Sequence, residues 1–238
     1  MFEMKEKVTT SRCGENGKLK FFAAVQMMQD CSELWADTEP GMNEYFKAHG
    51  MAQVLVSRQV DVMRVPEFKE TLSVESRVFE MQSMCGYRNT FVFDAAGHPC
   101  YKSWSMGAFV DRDTGRMAAV PADVTATMHL DGKLDMDYRP RRIRLPQNIL
   151  AEMPAVTVAR NDIDYNHHMN NAHYVRMGCE LLPDGFDVRR MRIEYKSPAH
   201  KGNVLTPKAG MSDDGCTCWV TLNCGGTVCA VMEFCSVL

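Results

Sequence analysis

The sequence predicts an α+β protein built from a repeated unit, one long helix followed by the strands of an antiparallel sheet. Three observations carry this. Apolar residues recur at helical spacing in two places, at Ala24, Met28, Cys31 and Trp35, and again at Ala172, Val175, Cys179 and Leu182. Short alternating runs bounded by turn residues follow each helix, as in Gln53–Ser57, Leu72–Val78 and Met106–Val110. These features then come twice in the same order. Strands joined by short turns favour antiparallel pairing, and helices kept apart from the strands give an α+β rather than an α/β arrangement.

Taken from the N-terminus, Gly17-Lys18-Leu19 precedes a helix from Phe21 to about Asp37. Strand-like runs occupy the chain as far as Val110. A polar stretch from about Pro121 to Pro146 holds Asp131-Gly132-Lys133 and the basic run Arg139 to Arg144, and reads as a connection. A second helix opens near Asn170. Sliding one half over the other sets Ala23 on Ala172, Val25 on Tyr174 and Met28 on Met177. Farther on, Val60-Asp61-Val62 falls on Ile193-Glu194-Tyr195, Glu70-Thr71-Leu72 on Asn203-Val204-Leu205, and the turn at Asp94–Gly97 on that at Asn223–Gly226. The expected organisation is a first unit over 1–120, a connection over 121–150 and a second unit over 151–238.

Composition narrows the class. With 238 residues, 45% hydrophobic and 24% charged, the chain can bury a sizeable core. A net charge of -3 lacks the basic excess of a general nucleic-acid binder. No apolar run reaches the ~18 residues that span a bilayer. The charged start, Met1 to Lys7, has no apolar core of a secretory signal, so a cytoplasmic location is expected. Ten cysteines then read as reduced side chains. Cys216, Cys218, Cys224, Cys229 and Cys235 fall in strand-like segments, where a thiol packs as a small hydrophobe, and they lack the paired spacing of a structural zinc site.

The chemistry concentrates just before the second helix. Asp164, Asn166 and His168 alternate, so in an extended segment their side chains share one side, opposite Tyr165 and His167. Helix onset at about Asn170 would bring free backbone N–H groups beside them. His168 then suits a general base, Asn166 a water or carbonyl ligand, and Asp164 an orienting group. The same residue types also make ordinary helix caps and surface side chains, and spacing leaves both readings open. His49, His167 and His173 read as structural or solvated, and neighbouring histidines do not converge on a metal.

The run Asp164-x-Asn166-x-His168-x-Asn170-Asn171, with Tyr174, Glu180 and Pro183 and the later Ile193-Glu194-Tyr195-Lys196, resembles the central motif of acyl-acyl-carrier-protein thioesterases. The N-terminal half resembles that family's first half more loosely, through Phe22–Trp35, Val54–Val65 and Trp104–Arg116. The resemblance implies a tandem (double) hot-dog fold, two antiparallel sheets each wrapped around a long helix. It implies hydrolysis of acyl-carrier-protein thioesters, with Asp164, Asn166 and His168 as the working residues and no cofactor or metal. Plant members carry a Glu-Cys pair where this chain has Pro198 and Ala199, which leaves water rather than a cysteine as the nucleophile. The acyl chain is expected in the N-terminal unit, where Met27, Met28, Met42, Met51 and Met63 offer flexible apolar surface. An acidic carrier protein would dock on Arg139, Arg141, Arg142 and Arg144, or on Arg189, Arg190 and Arg192. No nucleic acid or membrane partner is expected, and the protein is a monomer or a homodimer. A CoA thioesterase with the same site, a hydroxyacyl dehydratase and a non-catalytic acyl-binding module are the alternatives.

Overall fold

A computed structural model describes residues 1–147 and 150–238. The described chain runs β1 (Phe2–Lys7), α1 (Phe21–Leu34), α2 (Pro40–Ala48), β2 (Met51–Val62), β3 (Thr71–Met81), β4 (Cys85–Asp94), β5 (Pro99–Asp111), α3 (Ala122–Thr125), β6 (Ala151–Glu152), β7 (Val156–Thr157), α4 (Asn171–Cys179), β8 (Arg190–Tyr195), β9 (Val204–Met211), β10 (Thr217–Cys224) and β11 (Thr227–Cys235). Short 3-10 turns cover Thr10–Arg12, Trp35–Thr38 and Arg160–Asp162. The strands hydrogen-bond in the order β1-β3-β4-β5-β2-β8-β11-β10-β9-β6, with β7 also on β9. This corrects the expectation of two sheets: the ladder is a single sheet. No helix among the described residues is long and apolar enough to cross a membrane.

Contacts divide the chain into two compact units, Met1–Arg58 with Met63–Tyr138, and Gln59–Val62 with Arg139–Leu238. The boundary falls inside the polar stretch read as a connection, and the last four residues of β2 go with the second unit. Within that unit, Asp61 takes both forks of the Arg190 guanidinium, at 2.7 and 2.8 Å, and both side chains are buried.

In the first unit, α1 buries Ala24, Met28 and Cys31, and the turn after it buries Trp35, which together make the stripe that periodicity predicts. Cys31 Sγ lies 3.4 Å from the Val74 carbonyl of β3, and Ser32 Oγ lies 3.4 Å from Thr90 Oγ1 of β4. The helix ends at Leu34, before the expected Asp37, where the chain tightens into a 3-10 turn and then meets Pro40 at the start of α2. Trp35 closes a second apolar cluster with Met42, Phe46, Met51 and Phe109.

In the second unit, α4 buries Ala172, Tyr174, Val175 and Met177. Gly178 lets the helix approach β11 closely, since a Cβ there would sit 2.7 Å from Met232 Sδ. The cysteines are all free, with Cys218, Cys229 and the other β10 and β11 thiols on the strands where they were expected to pack.

The duplication extends to single hydrogen bonds. Cys13 bridges Leu19 as Ile163 bridges Met169. Lys20 N donates to Arg12 O at 2.9 Å, and Asn170 N donates to Asp162 O at 2.8 Å. Leu19 N donates to Pro66 O, and Met169 N to Ala199 O. The 3-10 turns and helix starts therefore match at an offset of 150 residues. The helix superposition read from the sequence is one residue out, so Phe22, not Ala23, is the counterpart of Ala172. The strand pairings read from the sequence agree: Val8 with Glu70 repeats as Val158 with Asn203.

Candidate active site

The segment Asp164 to His168 is a tight turn, not an extended strand. Ile163 and Met169 close its base as a bridge, Asp164 N donates to His168 O at 3.1 Å, and His167 N donates to Asp164 O at 3.0 Å. Strand alternation therefore does not set the side-chain directions here. The aspartate side chain supports the turn: Asp164 Oδ1 accepts the Asn166 N–H at 2.9 Å, the usual way an aspartate stabilises a turn. His167 is held at φ 64°, in the left-handed region.

The turn still brings two of the three expected residues together. His168 Nδ1 lies 3.9 Å from Asp164 Oδ1, across the mouth of the turn, and both side chains are partly exposed. That separation exceeds a hydrogen bond. The same ring nitrogen is 3.3 Å from the Met169 carbonyl. Asn170 Nδ2 reaches Asp164 Oδ2 at 3.4 Å. Asn166 sits exposed at the tip, and its fixed contact is through the backbone.

Asn170 is the N-cap of α4, with its side-chain oxygen accepting from Ala172 N at 3.0 Å. The backbone donors expected at Met169 and Asn170 are already used. Met169 N donates to Ala199 O at 2.7 Å, and Asn170 N to Asp162 O. The first-turn amide of Asn171 is the nearest helix N–H with no acceptor among the described residues.

Behind the turn lies a cluster that spacing did not reveal. Asp162 is buried and accepts from Ala159 N at 2.8 Å, His173 Nδ1 at 2.8 Å and Arg176 Nη2 at 2.9 Å. Burial by itself would raise its pKa, but the bonds from His173, the Ala159 amide and Arg176 outweigh it and hold the carboxyl below the usual aspartate value. His173 is thus structural, tying α4 to the turn. A helical His173 and Arg176 three apart was the available sign, since such residues share one face.

The segment that stands in for the plant Glu-Cys pair supports the turn through its backbone. Ala199 N donates to Tyr174 Oη at 2.8 Å, and burial pushes that phenol up to about 12. His200 Nδ1 lies 3.2 Å from the His167 carbonyl. Tyr195 Oη donates to Asn171 O, and its ring packs edge-on against Tyr174 at 5.7 Å. Cys179 is at the far end of α4, about 12 Å along the axis, and burial pushes its thiol up to about 12. It is no nucleophile for this site.

The two basic clusters part company. Arg190 is buried on Asp61, and Arg192 is paired with Glu233 at 2.8 Å, so these two members of the second cluster are committed within the fold. Arg142 and Arg144 instead line an open groove of about 680 Å³ with Ile143, Leu145, Val228 and Val231 and with Lys196, which is paired with Glu194 of the same groove at 3.3 Å. Met27, Met28, Met42 and Met51 are buried in the first unit.

A duplicated helix-on-sheet protein with an Asp–His turn at a helix start is the class that fold and site define. The descriptions "Acyl-ACP thioesterase N-terminal domain" and "Acyl-ACP thioesterase C-terminal domain" match residues 1–128 and 149–232. The chain belongs to the acyl-ACP thioesterase family. Among curated proteins, it is 24% identical over 173 residues to a chloroplastic dodecanoyl-[acyl-carrier-protein] hydrolase of Umbellularia californica, covering 67% of this chain and 45% of that one. A protein of the same description from Cinnamomum camphora is 24% identical over 179 residues, covering 69% and 47%. The chain therefore spans about half the length of the curated relatives it matches. Among solved structures, an acyl-ACP thioesterase from Bacteroides thetaiotaomicron superposes with a TM-score of 0.87 at 19% identity, covering 98% of this chain and 96% of that one. The 12:0-ACP thioesterase from Umbellularia californica gives 0.84 at 18% identity, covering 98% and 95%. These likenesses concern the fold.

Proposed function

We propose that the chain hydrolyses acyl-acyl-carrier-protein thioesters to free acid and carrier thiol, with Asp164, Asn166 and His168 as the working residues of a double hot-dog. The observation that carries this is the facing of His168 and Asp164 across a turn that runs straight into the N-terminus of α4. Family membership and the plant hydrolases it matches support the substrate class.

Thioester hydrolysis needs no protein nucleophile, because the thiol leaves with a pKa of about 8.5 and the carbonyl is already activated. A water held at the mouth of the turn loses its proton to His168 as it attacks the carbonyl carbon. Asp164 steadies the resulting imidazolium, and its own position is fixed by the Asn166 amide and the Asn170 side chain. The 3.9 Å gap suits a site that tightens on substrate, as unliganded catalytic contacts often do. The Asn171 N–H at the helix start polarises the carbonyl oxygen. Asn166 at the tip contacts the incoming water or thioester. The first unit holds the acyl chain, and the second carries the chemistry. The groove with Arg142, Arg144 and Lys196 supports docking of an acidic carrier protein. A cytoplasmic setting and a monomeric or dimeric state go with this reading.

Thiol release from carrier-protein and CoA thioesters of one acyl group tests it. His168→Ala should lose about 10²–10⁴-fold in kcat with the fold intact. Near-normal turnover by that variant would sink the assignment, and faster turnover of the CoA thioester would reassign the carrier.

A further inference from the structure

The layer between α1 and the sheet in the first unit is more polar than an alkyl pocket requires. On the face that α1 covers, three rows of side chains cross β3, β4 and β5. They are Val74, Val92 and Tyr101; then Ser76, Thr90 and Ser103; then Val78, Arg88 and Ser105. All nine are buried. Phe21 meets Tyr101 at 6.5 Å between ring centroids, and Ser32 meets Thr90, which fixes this as the face under α1. Successive rows are about 7 Å apart along the strands.

Buried hydroxyls normally have a partner. Among the described residues, Ser76 Oγ, Ser103 Oγ, Tyr101 Oη and Trp35 Nε1 have none. Arg88, in the third row, donates to the Ser32 carbonyl and lies with its guanidinium 4.2 Å from the centroid of the Trp35 ring. The middle row, made only of small hydroxyl residues, and a guanidinium beside it thus crowd donors into one buried patch.

We propose that this layer is an acyl subsite for chains bearing an oxygen substituent, hydroxyl or oxo, which the Ser76–Thr90–Ser103 row and Arg88 receive. The inference rests on the reading that the first unit holds the acyl chain. An alkyl segment lies over the Val74–Val92–Tyr101 row, and the oxygen falls about 7 Å farther on, where it accepts from the hydroxyls and the guanidinium. A saturated chain leaves those donors without an acceptor. A site built around hydrogen-bond donors rejects such a ligand far more strongly than an apolar pocket rejects one extra methylene.

Calorimetric titration of the whole chain with non-hydrolysable acyl-pantetheine thioethers tests this. The probes are a saturated medium-length chain and its positional series of monohydroxy and mono-oxo derivatives. At least one position should bind about 10–100-fold tighter than the saturated parent. Ser103→Ala, which deletes one oxygen and keeps the packing, should remove about tenfold of that gain and bind the saturated parent no more weakly than the native protein does. Arg88→Met should act the same way. If no position binds tighter than the parent, or if the gain survives Ser103→Ala and Ser76→Ala alike, the proposal is wrong. Thiol release is scored separately: its absence from every acyl thioester would overturn the hydrolase reading, while the titrations would still decide the binding preference.

Discussion

Replacing Asp162 by Asn keeps the side chain's shape and removes its charge. In the native protein that carboxylate accepts three bonds of 2.8, 2.8 and 2.9 Å, and it is 5% exposed. A hydrogen bond to a charged group contributes about 1.5–3 kcal/mol, and breaking a buried charged network costs about 3–5 kcal/mol. The Arg176 partner is a third exposed, so its share is discounted for solvent screening. The expected loss in Asp162→Asn is about 3 kcal/mol at neutral pH. Part of it should appear in catalysis, because the Asp162 carbonyl holds Asn170 N at the mouth of the turn. A looser turn lowers kcat more than it raises KM, since the lost element is alignment.

Urea unfolding at two pH values gives the decisive measurement. The folded-state pKa of Asp162 lies below the ordinary 3.8. Its contribution is therefore present above the unfolded value and lost as pH falls through the folded one. The native protein and Asp162→Asn should differ by about 3 kcal/mol at pH 7, and the difference should shrink as pH falls below about 4 and through the lowered folded-state value. Equal stabilities at pH 7 would refute the network's role. A difference that persists undiminished at pH 3 would refute its electrostatic origin.

Other expectations follow from single contacts. Reversing charge at Arg142 and Arg144 should lower kcat/KM on a carrier-protein substrate about tenfold at low salt and flatten its salt dependence, because steering is screened within about 10 Å at 0.1 M salt; an unchanged salt profile would remove the groove from the docking path. Gly178→Ala should cost about 1–3 kcal/mol in thermal unfolding. Its Cβ would press on Met232 Sδ at 2.7 Å and on Phe234 Cζ at 3.1 Å, and the aromatic ring has little room to yield. His167→Gly should stabilise the chain by about 0.5–1 kcal/mol and keep thiol release within a few-fold, since it relieves a positive φ without touching Asp164 or His168. A large loss of turnover in a stabler protein would instead make His167 part of the machinery.

Helices and strands were legible because burial imposes periods. The Ala24–Trp35 stripe and the paired strand runs each repeat a spacing that a single sheet face or helix face requires. The turn was less legible, because its shape depends on which hydrogen bonds close it. Asp164-x-Asn166-x-His168 has the alternation of a strand, yet backbone bonds among Asp164, His167 and His168 close a turn, which the Asp164 Oδ1 bond to the Asn166 amide supports. Asp162 lies eleven residues from His173 in sequence, so no local period marks the pair. The single sheet was hidden for a similar reason: pairing between distant strands leaves no periodic trace, whereas the compact hairpins do.

The matched turns separate what the backbone supplies from what the side chains supply. Gly14 N donates to Lys18 O at 2.9 Å and Gly17 N to Gly14 O at 3.0 Å, the same bonds that close the turn at Asp164. Gly17 has φ 73° where His167 has φ 64°. The backbone is thus nearly identical at both places, and it cannot be the source of reactivity. Between 14–20 and 164–170 every side chain but one differs, and the changes include Gly14 against Asp164, Gly17 against His167, Lys18 against His168, and Lys20 against Asn170. Asn16 and Asn166 are the same residue. An asparagine common to both turns is explained by turn chemistry alone, which Asn16 shows when its side-chain oxygen accepts from Lys18 N at 3.0 Å. Asp164 and Asn170 each also make a local structural bond, to the Asn166 amide and as the cap of α4, whereas the His168 side chain makes no bond that the turn needs, since the first unit folds the same turn with Lys18 there. The repeat therefore acts as an internal control. It favours His168, facing Asp164, over Asn166 as the centre of the proposed hydrolysis.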